Sequence, residues 1–213
     1  MYVNGFGTKV ELMNTSPITF TNNPVQIAPG LTLDDELYAV AAAGVAEHLP
    51  ELGPLKPEAF FSRRWTLVPD EQTGEAYKAE LTLFKTDTRT VKINRWFDDD
   101  ERDGKGPRPH NHPWDFHSMI LGGTYVESRW TKRDGVVVPE LDVEHRTGDV
   151  NKIGREVFHE VTEVDPDRTL MLMICGPGMS SWGYMDPTSG DFTAAALPAG
   201  FLERQAALNP HHQ

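Results

Sequence analysis

Cysteine is nearly absent from these 213 residues: Cys175 stands alone, so no intramolecular disulfide can form and the fold must rest on its core. The start, "MYVNGFGTKVEL", lacks the basic lead and apolar centre of a signal peptide, and with the lone cysteine this sets the expectation of a cytoplasmic protein. No apolar run approaches the roughly 20 residues that cross a bilayer, so a membrane is not an expected partner. Positive charge is scarce too. The 20 Lys and Arg stand against 32 Asp and Glu, a net charge of -12, and form no long block, so nothing attracts a phosphate backbone and nucleic acid is not an expected partner. Internal repeats, low-complexity tracts and clear linkers are missing as well. What remains is enough chain for one sizeable core, and hence one domain.

The opening stretch to about Pro29, rich in Thr, Asn and Pro, has little periodicity and reads as an extended arm or a short strand against the body. From Thr32 the pattern turns helical. Thr32 can cap, Asp34, Asp35 and Glu36 suit the positive end, and Leu37, Val40, Ala41, Val45 and Leu49 recur at helical spacing before Pro50 stops the run. Beyond Pro57, "RRWTLVP", "YKAELTLFK" and "RTVKINRWF" alternate apolar with polar residues between turn-forming groups. The same texture runs through "FHSMILGGTYVESRW", "GVVVPELDVEHR", "EVFHEVTEV", "RTLMLMICG" and "SSWGYMD". Many short strands with no alternating helices predict a barrel or sandwich of antiparallel strands. The ending "AGFLERQAALNPHHQ" predicts one short helix.

The chemistry concentrates in "GPRPHNHPWDFHSMILGG". On a strand, His110 and His112 would point to one face, and two imidazoles would converge on one point. His117 and Asp115 have the opposite parity unless the chain bulges near Pro113. A further candidate is His159, which alternates with Val157 and Val161 and shares their apolar face. Three or four imidazoles in a barrel suit Fe(II), Zn(II), Ni(II), Cu(II) or Mn(II), and spacing does not choose among them.

These residues resemble the cupins. The first cupin motif, G-x5-H-x-H-x(3,4)-E-x6-G, is matched by Gly104, His110 and His112, with His117 where Glu is usual and Gly123 one residue early. The second, G-x5-P-x-G-x2-H-x3-N, is matched by Gly148 and His159, while Gly154, Glu156 and Glu163 replace its Pro, Gly and Asn. More narrowly, "HNHPWDF", "FHEV" and "ICGPGMSSWGY" are similar to a group of small bacterial and phage cupins, a likeness that implies a fold and no activity. The resemblance implies an all-β protein: a single double-stranded β-helix, or jelly-roll, barrel over 59–195. An arm and helix over 1–58 would pack on it, and a tail with a short helix would follow over 196–213. It also implies one divalent transition metal, Fe(II) favoured, on His110, His112 and His159, with His117 and Asp115 competing for a further position.

Other residues have candidate roles. Asp115 can instead orient an imidazole N–H. Arg95 shares a strand face with Val91 and Ile93, so if these point into the barrel its guanidinium can take a substrate carboxylate. Trp182 and Tyr184, flanking Gly183, can line a pocket mouth with Trp114, and Glu156 can move a proton. The leading functional expectation is a mononuclear non-haem Fe(II) oxygenase acting on a small polar molecule. The alternatives are a Zn- or Mn-dependent isomerase or hydrolase, or a cupin that binds a metal or ligand without turnover. A homodimer through an edge strand is a further expectation.

Overall fold

A computed structural model describes residues 24–28, 30–70, 74–99, 108–178, 181–196 and 199–212. The arm up to residue 23 and the motif glycine Gly104 lie outside these. Among the described residues the chain opens with β1 (Val25–Ala28) and β2 (Leu31–Leu33), then α1 (Asp35–His48) and α2 (Pro57–Phe60). Strands follow as β3 (Thr66–Pro69), β4 (Ala76–Lys85), β5 (Thr90–Trp96), β6 (Phe116–Gly122), β7 (Thr124–Arg133), β8 (Val136–Arg146) and β9 (Val150–Ile153). The last are β10 (Phe158–Val164), β11 (Leu170–Cys175), β12 (Gly183–Met185) and β13 (Phe192–Ala194), before α3 (Phe201–Leu208).

The helix expected from the periodicity forms, with one change at its start. Asp34 is the cap: its carboxylate accepts the Leu37 N–H at 2.8 Å, while Thr32 lies within β2. Ala41, Gly44 and Val45 are its buried positions. They face the outer side of a six-stranded antiparallel sheet ordered β3-β4-β5-β11-β6-β9. A second sheet, β10-β7-β8, lies against the inner side, where Tyr125 and Val161 from the smaller sheet pack with Tyr77, Trp96, Ile120 and Met171 from the larger one. Non-consecutive neighbours such as β5-β11 and β11-β6 are the crossovers of a jelly roll. The antiparallel all-β architecture expected from the strand pattern, and the jelly roll implied by the motif resemblance, are observed, built as two facing sheets without a ladder closing them into one ring among the described residues.

Strand register decides which side chains face which layer. Lys78 and Glu80 of β4 share the inner side with Lys92, Asn94 and Trp96 of β5, Met171 and Met173 of β11, and Ser118 of β6. Ala79, Leu81, Val91, Ile93, Met119, Leu170 and Leu172 alternate with them and pack beneath α1 in the main apolar core. Each of the fully buried Leu and Ile side chains there contributes on the order of 1.5–3 kcal/mol. Both sides of the large sheet are therefore buried, one dry and one polar. Gly123 makes the tight exit from β6 into β7. Its φ is +72°, and a Cβ there would come within 2.6 Å of the Thr169 backbone nitrogen.

Candidate metal centre

His110 sits outside the named strands, in isolated antiparallel bridges to Tyr184 and to His159. It exchanges both backbone hydrogen bonds with His159 of β10, His110 N–H to His159 O at 2.9 Å and His159 N–H to His110 O at 2.8 Å. Residues paired in this way project side chains to the same side. The ring centroids of His110 and His159 lie 5.0 Å apart. Asn111 locks this segment to β12: its Nδ2 donates to Arg155 O at 2.9 Å and its Oδ1 accepts the Gly183 N–H at 2.9 Å. His112, one step further, returns to the same side, so its Nε2 stands 3.0 Å from His159 Nε2. The three imidazoles each offer a nitrogen, and all of these lie within 4.8 Å of one another. They could hold a metal ion.

The buried carboxylate behind them is Glu127 of β7, fully shielded from solvent. Its Oε2 accepts His159 Nδ1–H at 2.8 Å; its Oε1 accepts from His145 Nε2 at 2.9 Å, Asn151 Nδ2 at 2.8 Å and Arg129 Nε at 2.7 Å, and Arg129 also donates to it through NH2. Burial alone would raise its pKa. Hydrogen bonds from His145 and His159 and the charge of Arg129 outweigh that and hold it below the usual carboxylate range. With Nδ1 carrying the proton toward Glu127, His159 presents the lone pair of Nε2 to His112 and the cavity. Burial, then the neighbouring His110 and His159, press His112 well below the ordinary histidine pKa, which keeps its ring neutral.

A cavity of about 50 Å³ opens in front of the imidazoles. Trp114 stacks on His112 at 6.0 Å and Phe116 meets its edge at 5.1 Å, covering it on two sides. Lys78, Lys92, Asn94 and Trp96 line the opposing wall.

Several sequence candidates lie elsewhere. His117 is exposed on β6, with the parity of Met119, which packs under α1, so its ring belongs to the outer side of the sheet and it is not in the imidazole cluster. No bulge at Pro113 reverses that parity. Asp115 is exposed and ties loops together: its Oδ1 accepts the Arg155 N–H at 2.8 Å and its backbone carbonyl the Gly176 N–H at 2.9 Å. The orienting role proposed for it falls to Glu127. Arg95 does share a side with Val91 and Ile93, but that side is the outer one. Its guanidinium is spent on backbone carbonyls of Trp96, Pro166 and Thr169, the Pro166 contact being 2.7 Å. Glu156 is exposed in the turn before β10 and does not line the cavity. Tyr184 is buried behind His110, with centroids 6.5 Å apart, and packs on Trp182 at 5.8 Å; it too is outside the cavity lining. Trp114 alone of the three aromatics lines the cavity.

Sequence reasoning passed over Glu127, His145, Asn151 and the two lysines. A signal existed for Glu127, which alternates with Tyr125 and Arg129 on one face of "TYVESRW", an acid and a base two residues apart at inward parity.

Two facing antiparallel sheets with crossovers between neighbours and a histidine-lined cavity between them make a jelly roll of the double-stranded β-helix kind. Solved structures that resemble the chain over part of its length include two described as having a double-stranded β-helix. One is an RmlC-like cupin family protein from Methanocaldococcus jannaschii, at 13% identity over 47% of this chain and 81% of that one, with a TM-score of 0.35. Another is hydroxypropylphosphonic acid epoxidase from S. wedmorenis, at 14% identity over 53% of this chain and 55% of that one, TM-score 0.36. A third is a conserved protein with a double-stranded β-helix domain from Klebsiella pneumoniae, at 14% identity over 57% and 91% of the two chains, TM-score 0.35. No family model and no curated protein matches the sequence.

Proposed function

We propose that the chain holds one divalent transition metal, Fe(II) by preference, on His110, His112 and His159, and oxidises a small polar substrate with dioxygen. The observation that supports this is the convergence of the three imidazoles, with His159 Nδ1 fixed on a buried carboxylate. The donor set fits such an ion. Its three imidazoles each turn a nitrogen toward the others, His112 and His159 with Nε2 atoms 3.0 Å apart, and neutral imidazole nitrogens suit a first-row divalent metal. Bound there, iron would supply electron transfer and Lewis acidity toward dioxygen.

The chain's own residues do the positioning. Glu127 fixes the His159 tautomer, the paired backbones of His110 and His159 fix their separation, and Trp114 with Phe116 keeps water from His112. Isomerisation or hydrolysis on Zn or Mn would need a carboxylate able to move a proton. Among the described residues the one lining the cavity is Glu127, and its two oxygens are already committed to His159, His145, Asn151 and Arg129. The oxidative reading is therefore preferred.

The test is metal analysis of anaerobically purified protein, with electron paramagnetic resonance after adding nitric oxide. Iron near stoichiometry and a nitrosyl signal, both lost in His112→Ala and His159→Ala, are expected. Metal content unchanged in both variants, or no metal uptake, overturns the site; uptake of zinc with no iron overturns the oxidative chemistry.

A further inference from the structure

Opposite the imidazoles, Lys78 and Lys92 reach the same cavity from β4 and β5, with side chains only 15% and 12% exposed. Both face one carboxylate: Glu80 Oε1 is 2.8 Å from Lys92 Nζ and 3.6 Å from Lys78 Nζ. Two ammonium groups against one carboxylate leave a unit of positive charge unmatched. Among the described residues no other carboxylate lies within ion-pair distance of either lysine. Lys78 has the faces of Trp96 and Tyr77 at 4.8 and 5.3 Å from its Nζ, a partial substitute for an anion. A charge withdrawn from water at this depth is costly unless something pairs with it.

The same walls carry polar atoms without partners. Asn94 and Trp96 are 3% and 6% exposed, and Asn94 Oδ1, Trp96 Nε1 and Trp114 Nε1 are buried with nothing to bond. The Asn94 amide nitrogen rests on Met173 Sδ at 3.4 Å, a weak acceptor, and turning the amide over would set its oxygen against a sulfur with no hydrogen to give and leave both atoms without a partner. Buried polar groups nearly always have partners, so three orphans on residues that line one small cavity mark a place for an occupant. Water could satisfy the hydrogen bonds, but it carries no charge to set against the lysines.

We propose that this cavity binds a small carboxylic acid. The carboxylate is held by the Lys78 and Lys92 ammonium groups with the Trp96 indole N–H, and a hydroxyl or amine on the ligand donates to Asn94. A singly charged carboxylate matches the single unmatched positive charge better than a doubly charged phosphate does. At about 50 Å³ the cavity has room for roughly four or five non-hydrogen atoms. This deepens the three-histidine reading by naming the substrate class of that site, yet the lysine subsite needs no ion in order to bind.

The experiment is calorimetric titration of glycolate, and of its neutral amide glycolamide, into the full chain without metal and loaded with Co(II). Glycolate is expected to bind both forms at least about tenfold more tightly than glycolamide, the factor one charge-assisted hydrogen bond carries. Lys92→Met leaves Lys78 and Glu80 as a neutral pair, and Trp96→Phe removes only an N–H. Each should weaken glycolate about tenfold while Co(II) uptake, read from its visible absorption, stays unchanged. Equal binding of acid and amide overturns the proposal, as does glycolate binding undiminished in both variants or confined to the Co(II) form and indifferent to Lys92→Met. Failure of Co(II) uptake with charge-dependent glycolate binding intact sinks the metal reading alone. Normal Co(II) uptake with no glycolate binding sinks the subsite alone.

Discussion

Glu127→Gln is the substitution that most directly tests how the histidine centre is built. The amide has the size of the carboxylate but one acceptor where there were two. Oε1 faces three donor residues, one of them the charged Arg129, and Oε2 faces His159 alone. The amide oxygen will take the Oε1 place, leaving the NH2 against His159 Nδ1. Two donors cannot share that line, so His159 must move its proton to Nε2, the nitrogen that faces His112 at 3.0 Å. A protonated Nε2 has no lone pair to offer a metal. Loss of such an orienting partner typically lowers metal affinity about 10- to 100-fold, and Glu127→Gln is expected to fall in that range for Co(II).

Stability should fall as well. Removing one partner of a buried ion pair costs about 3–5 kcal/mol, and the lower end applies here. The Arg129 side chain is 19% exposed and keeps Asn151 Oδ1 at 2.6 Å. Metal titration and urea unfolding measure the two effects, and nitrogen NMR of the His159 ring reads the tautomer without any metal. Wild-type Co(II) affinity in Glu127→Gln, together with an unchanged His159 tautomer, would refute the reasoning. Glu127→Asp keeps the charge and should lose stability without exchanging the tautomer.

Other consequences are open to direct measurement. Glu80 is held down to about 2 although burial pulls upward, because Lys92 and then Lys78 more than offset it. With the folded pKa below the unfolded one, this stabilisation is full above about pH 4.5 and is lost as pH falls toward 2. It amounts to at most about 3 kcal/mol, since a fifth of the side chain is exposed. Urea midpoints for Glu80→Gln should accordingly fall less steeply than wild type between those pH values, and parallel slopes would contradict the pairing. Burial raises the Cys175 thiol to about 11, so the native protein should react with a thiol reagent at pH 8 far more slowly than the unfolded chain. His117→Ala should leave metal content unchanged, and a loss would restore His117 as a ligand. Gly123→Ala should cost more than about 1 kcal/mol in urea unfolding, because the added Cβ meets the Thr169 backbone at a positive φ.

Much of the fold could be read because strands announce themselves locally. Alternation in "YKAELTLFK" and "RTVKINRWF" located β4 and β5, and turn residues separated them. Helix α1 was marked by its apolar spacing and by Pro50, and only its cap was displaced, from Thr32 to Asp34. Nothing local could reveal that His110 pairs with His159 through an isolated bridge, since that contact joins segments 49 residues apart in number. The likeness in motif spacing placed the two histidines in one site; periodicity did not.

The site was misread where periodicity is symmetric. Alternation says that Val91, Ile93 and Arg95 share one side of β5 and Lys92, Asn94 and Trp96 the other, but it does not say which side faces the barrel. A sheet with one wet side would put the apolar set inside. Here α1 covers the outer side, so the apolar set turns toward the helix and the polar set lines the cavity. The inversion carried Arg95 away from the cavity and brought Lys92 into it. His117 lies on the outer side for the same reason, with Met119, whereas Ser118 lies on the inner. A polar run between apolar residues therefore gains weight as a cavity wall when a helix with an apolar stripe precedes it. By that argument the two lysines of β4 and β5 and the three histidines belong to one cavity.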